Sequence, residues 1–260
     1  MKNNYWIVDE WLIFKPNFNE ELTNYYDIIN KYKKVIFSNY DDPLIAIETN
    51  NNYKYKYKNN YIKSNFNKKT DLLNNINLTH LTFEVEFNKY IDLSKNINLT
   101  HLTLGMYFNQ EIDLSNNINL THLTFGSYFN QEIDLSNNIN LTHLTFGWKF
   151  NQEIFIPLNI KSLNMCCCNN QYLIDNLHNN IEELIIVQTN LNLDNLPNSI
   201  KKLHIEDYNK ELNNLPNSIE YLKLINYYLK IKKIPKNLKT VKCDKKYKYI
   251  DDFKDYKVIF

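Results

Sequence analysis

The chain contains no arginine: all 30 of its basic side chains are lysine, set against 29 acidic ones for a formal net charge of +1. A near-neutral chain has no global field to steer nucleic acid. Without guanidinium groups it also lacks the side chain best suited to bidentate phosphate or guanine recognition, so nucleic-acid binding is disfavoured. Glycine is limited to Gly105, Gly126 and Gly147, which excludes a glycine-rich phosphate-binding loop. No apolar run approaches the roughly 20 residues of a membrane span, and MKNNYWIVDEWLIF has no sustained apolar core before Asp9 and Glu10. The expectation is a soluble, cytoplasmic protein with no membrane partner. Four cysteines, adjacent at 166–168 with Cys243 remote, form no paired CxxC framework, and free thiols are expected. Ala46 is the single alanine, while Asn, Ile, Tyr and Lys abound, the signature of AT-rich coding.

What the chain has instead is a repeat. FNQEIDLSNNINLTHLTFGSY recurs almost unchanged every 21 residues, anchored by Phe66, Phe87, Phe108, Phe129 and Phe150. A period of this size marks a solenoid, in which one unit buries its apolar face only by stacking on copies of itself. The asparagines therefore read as structural, because they sit at fixed offsets inside an apolar repeat. Each unit carries apolar-x-x-apolar-x-apolar: Leu78, Leu81 and Phe83; Leu99, Leu102 and Leu104; Leu120, Leu123 and Phe125; Leu141, Leu144 and Phe146. The pattern continues in looser form from Ile160 to Cys243, with units of 19 or 21 residues.

Alternation at the last two apolar positions has the period of a strand, and so short a strand pairs only with its copy in the next unit, giving a parallel sheet along the array. The glycines follow the strand, where positive φ is expected of them. The Phe-Asn pair is placed on the return path, with Asn88, Asn109, Asn130 and Asn151 stacking as a ladder that satisfies backbone groups. Pro157, Pro197, Pro216 and Pro235 precede the later strands and suit a connecting turn. The fold class is a leucine-rich-repeat-like solenoid, with short parallel β-strands on one face and mostly irregular turns on the other.

FNQEI, LPNSI and LTFG together resemble the FNIP repeat, a leucine-rich-repeat-like family of social amoebae and amoeba-infecting giant viruses, over about residues 66–243. The resemblance implies a binding array without catalytic residues or cofactor, whose partner is an unidentified protein, a host protein if the chain is viral, met in the host cytoplasm. In giant viruses such arrays often accompany an N-terminal F-box that recruits a ubiquitin ligase, which makes a substrate-recognition adaptor the alternative reading.

Residues 1–65 are expected to be a diverged N-terminal cap with degenerate repeats, one around Leu12, Phe14 and Phe18 and another around Tyr32, Val35 and Phe37; residues 244–260 are expected to cap the other end. NEELTNYYDIINKYKK at 19–34 reads as a helix with Leu22, Tyr25, Tyr26 and Ile29 on one stripe, and YKYKYK at 53–58 as an exposed strand. The Leu-Pro-x-Glu-Ile opening of an F-box is not seen there.

His80, His101, His122 and His143 occupy one strand position, opposite the core leucines, with Thr82, Thr103, Thr124 and Thr145 beside them. Together they predict a uniform polar strip for an extended partner. In later units the strip becomes varied and partly basic, through Glu183, Lys202, His204, Tyr221 and Lys223, a pattern suited to specificity. Imidazoles stacked at strand spacing raise a weaker alternative, a metal-dependent hydrolase. Metal ligation needs converging ligands, and identical repeats make a ladder of any residue, so no metal site is assigned. Asn77, Asn98, Asn119 and Asn140 each open an Asn-Leu-Thr sequon and are expected to be unmodified.

Overall fold

A computed structural model describes residues 4–50, 62–166 and 168–260; the YKYKYK segment lies outside them. The chain forms two compact units, 1–141 and 142–260. In the first, β1 (Tyr5–Val8) and β2 (Trp11–Phe14) make an antiparallel hairpin. Parallel to β2 follow β3 (Lys34–Phe37), β4 (His80–Thr82), β5 (His101–Thr103) and β6 (His122–Thr124). Leu12, Val35, Leu81, Leu102 and Leu123 share one register, and all are buried. The second unit holds β7 (His143–Phe146), β8 (Ser162–Cys166), β9 (Glu183–Val187), β10 (Lys202–Glu206), β11 (Tyr221–Ile225), β12 (Thr240–Cys243) and β13 (Lys257–Ile259), each parallel to the next. Here Leu144, Leu163, Leu184, Leu203, Leu222 and Val241 share one register and form the core row of this unit. The array is a leucine-rich-repeat-like β-solenoid with few helices.

Behind the leucines the phenylalanines form a second row. In the first unit Phe66, Phe87, Phe108 and Phe129 stack at 6.0–6.2 Å, and Phe83 lies 3.7 Å from Phe87. In the second unit tyrosines take over this role, with Tyr208, Tyr227 and Tyr247 stacked at 6.3–6.4 Å. A buried phenol needs a partner: Tyr208 donates to the Leu191 carbonyl (2.9 Å) and Tyr247 to that of Leu229 (2.8 Å).

Two asparagine ladders run through the first unit. Of the expected one, Asn88, Asn109 and Asn130 each donate a backbone N–H to the preceding side-chain oxygen at 2.9–3.0 Å, with Asn67 as an added first rung. The more deeply buried one, which the sequence reading overlooked, is Asn75, Asn96, Asn117 and Asn138. Asn117 Nδ2 donates to the carbonyls of Leu93 (3.1 Å) and Asn96 (3.0 Å). The amide thus satisfies two buried acceptors of the preceding coil, which would otherwise be left without water. In later units the position becomes His178, whose ring nitrogen contacts the Pro157 carbonyl at 2.9 Å, or a proline, as in the Pro197-to-Ile200 and Pro216-to-Ile219 turns.

Two local expectations are corrected. None of the described glycines has positive φ. Instead, a Cβ on Gly105 would stand 1.7 Å from the Glu84 carbonyl oxygen, and one on Gly126 2.0 Å from that of Gly105, so glycine is demanded by the close approach of neighbouring coils. Among the described residues the left-handed ones are Asp9 (φ 50°), in the turn between β1 and β2, and Gln188, Asp207 and Asn226 (φ 49–53°), directly after β9, β10 and β11. Residues 19–34 do not form one helix: they hold a 3-10 turn at Leu22–Asn24 and a four-residue helix, α1 (Tyr26–Ile29). Leu22 and Ile29 still face the core. A longer helix is α2 (Pro43–Asn50). Among the described residues 4–50 there is no helical bundle.

Candidate functional site

Alternation along each strand sends the residues between the core positions to the outer face of the sheet. At its N-terminal side this face is already covered. Trp11, Ile13 and Ile36 point outward from β2 and β3 and pack with Ala46 of α2 into a small separate core, with Trp6, Val8 and Ile47 at its margin. Thr82, the outward residue paired with Ile36, is only 2% exposed. It is therefore no part of an open surface, unlike the half-buried Thr103 and Thr124.

From β4 onward the imidazoles emerge. His80 and His101 stack with ring centres 4.1 Å apart and planes 8° from parallel; His101 and His122 stack at 4.2 Å and 9°. Trp11 closes the row edge-on to His80 at 5.6 Å. Each ring is held from behind by the threonine before it, with Thr79, Thr100 and Thr121 Oγ1 each 2.9 Å from the neighbouring Nδ1. The Thr100 and Thr121 hydroxyls donate to the carbonyls of Thr79 and Thr100 at 3.0 Å. A hydroxyl has one proton to give, so Nδ1 carries the hydrogen and the threonine oxygen accepts it, which directs Nε2 away from the threonine. Burial pulls the His80 pKa down to about 4, helped by the Lys34 cation and His122. His80 is therefore neutral at physiological pH.

This geometry suits lateral recognition better than metal chemistry. In stacked parallel rings the nitrogen lone pairs lie in separate parallel planes and do not converge on one point, as tetrahedral ligation requires. Among the described residues no group of three or more His, Cys, Asp or Glu side chains is placed to hold a metal ion. Burial also pushes the Cys168 thiol up to about 11, leaving it protonated and a poor nucleophile.

In the second unit His143 is exposed, with Nδ1 2.9 Å from Thr142 Oγ1, and Thr145 is half-buried. Ser162 donates to Glu183 at 3.2 Å. Lys202 is open to solvent, whereas Lys223 is only 8% exposed. Its ammonium lies 2.8 Å from His204 Nε2. Glu206 approaches the same nitrogen at 3.3 Å. Tyr221, half-buried, has its phenol pKa raised by burial. The outer face thus carries a uniform His/Thr strip in the first unit and a mixed set in the second. Lys223 belongs to the wall of that set more than to its surface. Beside the strip, in the first unit, a groove of about 550 Å³ runs along the Asn-x-Thr rows from Lys33 to Asn140. In the sequence alone these asparagines stand out only as sequons.

No helix among the described residues is long and apolar enough to cross a membrane. The FNIP Repeat family model matches residues 188–227. The solved structure of CroV588, a circular LRR protein from a giant virus, is similar over 94% of this chain, with TM-score 0.65 and 29% identity; the chain spans 38% of that protein. An internalin (InlF) from Listeria monocytogenes is similar over 96% of this chain and 86% of its own, with TM-score 0.53 and 11% identity, a likeness of fold alone. Among curated proteins none matches.

Proposed function

We propose that the chain, an FNIP repeat-containing protein of leucine-rich-repeat-like fold, is a non-enzymatic scaffold that holds another protein on the outer face of its strands. The observation that supports this most directly is the packing of α2: the face already takes a segment of its own chain, over Trp11, Ile13 and Ile36. In the first unit the outer face past β4 is lined by His101, Thr103, His122 and Thr124; in the second unit the corresponding strand positions are His143, Thr145, Glu183, Lys202, His204 and Tyr221. Stacked rings and half-buried hydroxyls offer directional hydrogen bonds, and the charged residues of the second unit add selectivity. The partner is a protein of the host cytoplasm if the chain is viral. A ligase-adaptor role draws no support from residues 4–50, which are strands and short helices.

The test is affinity purification from amoebal lysate with wild type and a His101→Glu, His122→Glu, His143→Glu variant checked for intact folding. A partner retained by wild type and lost by the variant places recognition on this face. Equal recovery by both would remove the proposal.

A further inference from the structure

A second surface lies away from the strand face. Ile76, Ile97, Ile118 and Ile139 recur two residues before each Leu78-type core position and are 56%, 52%, 46% and 65% exposed. Four half-exposed isoleucines in one row are not a requirement of the fold. The same position in the second unit is filled by Asn179, Asn198, Asn217 and Lys236 after a single apolar Leu158. The apolar row is therefore a property of the first unit. It is flanked by the uncharged amides of Asn77, Asn98, Asn119 and Asn140. Those of Asn98, Asn119 and Asn140 are pinned by Nδ2 hydrogen bonds of 2.9–3.0 Å to the carbonyls of Ile76, Ile97 and Ile118. The row and this asparagine flank carry no charge; on the other side the exposed Lys95 stands among Asn74, Asn116 and Asn137.

The geometry points to a second copy of this chain as the occupant of that row. Its rungs recur once per coil, every 21 residues. Another array of the same rise stays in step along its whole length. Paired through a two-fold axis, each isoleucine of one copy lodges between two of the other, an interdigitation that identical stacked side chains favour. The absence of charge in row and flank lets like face like. The four side chains offer on the order of 400 Å² per copy, and with the asparagine rows the paired area reaches the ~1,000 Å² at which specific association begins. That size predicts a reversible dimer.

Sedimentation equilibrium of the full chain from low to high micromolar concentration tests this, alongside an Ile97→Asn, Ile118→Asn variant that carries the residue later units already use. Wild type is expected to pass from monomer to dimer, and the variant to weaken dimerisation by about a hundredfold or more, at two apolar side chains lost per copy. Wild type remaining monomeric throughout, or a folded variant dimerising with an unchanged constant, overturns the proposal. Hydrogen exchange of the wild type at the two ends of the concentration range decides it without any variant. Protection gained at 95–98 and 116–119 supports the row, and protection gained only elsewhere overturns it.

Discussion

Asn117 shows what a single side chain does in this fold. Its amide donates to two buried carbonyls of the coil before it, and no other residue type of that size offers two donors without a charge. Replacing it by alanine leaves both acceptors dry, at about 1–3 kcal/mol for each buried group stranded. Urea denaturation of Asn117→Ala should show a midpoint well below wild type. The exposed neighbour Asn119, which holds one carbonyl at the surface where water can substitute, should tolerate the same change with little loss. His80 makes a residue-scale prediction of different kind. Its folded pKa, near 4, lies below the ordinary value of 6.5, so the unfolded chain takes up the proton first as pH falls. The stability due to its neutral form is complete above about pH 6.5 and is lost progressively towards pH 4. Melting temperature measured across that window should fall more steeply for wild type than for His80→Gln; parallel curves would show that the ring is not held neutral by burial.

At the scale of the element, the strands were legible in the sequence because the apolar-x-x-apolar-x-apolar pattern is the burial pattern itself. Leu81, Leu102 and Leu123 pair where the spacing puts them. What surrounds the strands was less legible. The buried asparagines look like their exposed neighbours in a chain so rich in that residue, and only the carbonyls across the coil boundary tell them apart. Glycine after a strand suggests a left-handed turn, yet at Gly105 the constraint comes from the next coil's backbone, which local sequence does not contain. The 19–34 segment has an apolar stripe at helical spacing, but Leu22 and Ile29 reach the core from two short turns instead. In the candidate site, alternation predicts an outward facing for Thr82 and Lys223 but says nothing of their burial. Thr82 is sealed beside the core that α2 makes on the outer face, and Lys223 is drawn against His204.

At the scale of the whole molecule, the coils within each unit bond to their neighbours, so stability accumulates from nearest-neighbour interfaces. A defect should then be felt locally. Leu102 is buried between Leu81 and Leu123, and Leu102→Ala should cost about 2–5 kcal/mol. Hydrogen exchange is expected to speed up across β4–β6 far more than across β9–β11; an equal rise in both would show the chain unfolding as one cooperative body.

The hydrogen bonds of the first unit reach back by a fixed count. Asn96, Asn117 and Asn138 each bond 21 and 24 residues upstream, and Asn98, Asn119 and Asn140 bond 22 residues upstream. A coil inserted by recombination between near-identical copies therefore brings its own donors and meets acceptors already in place. The number of coils becomes a heritable quantity that changes in whole steps without a misfolded intermediate length. Each step lengthens or shortens the exposed isoleucine row by one rung.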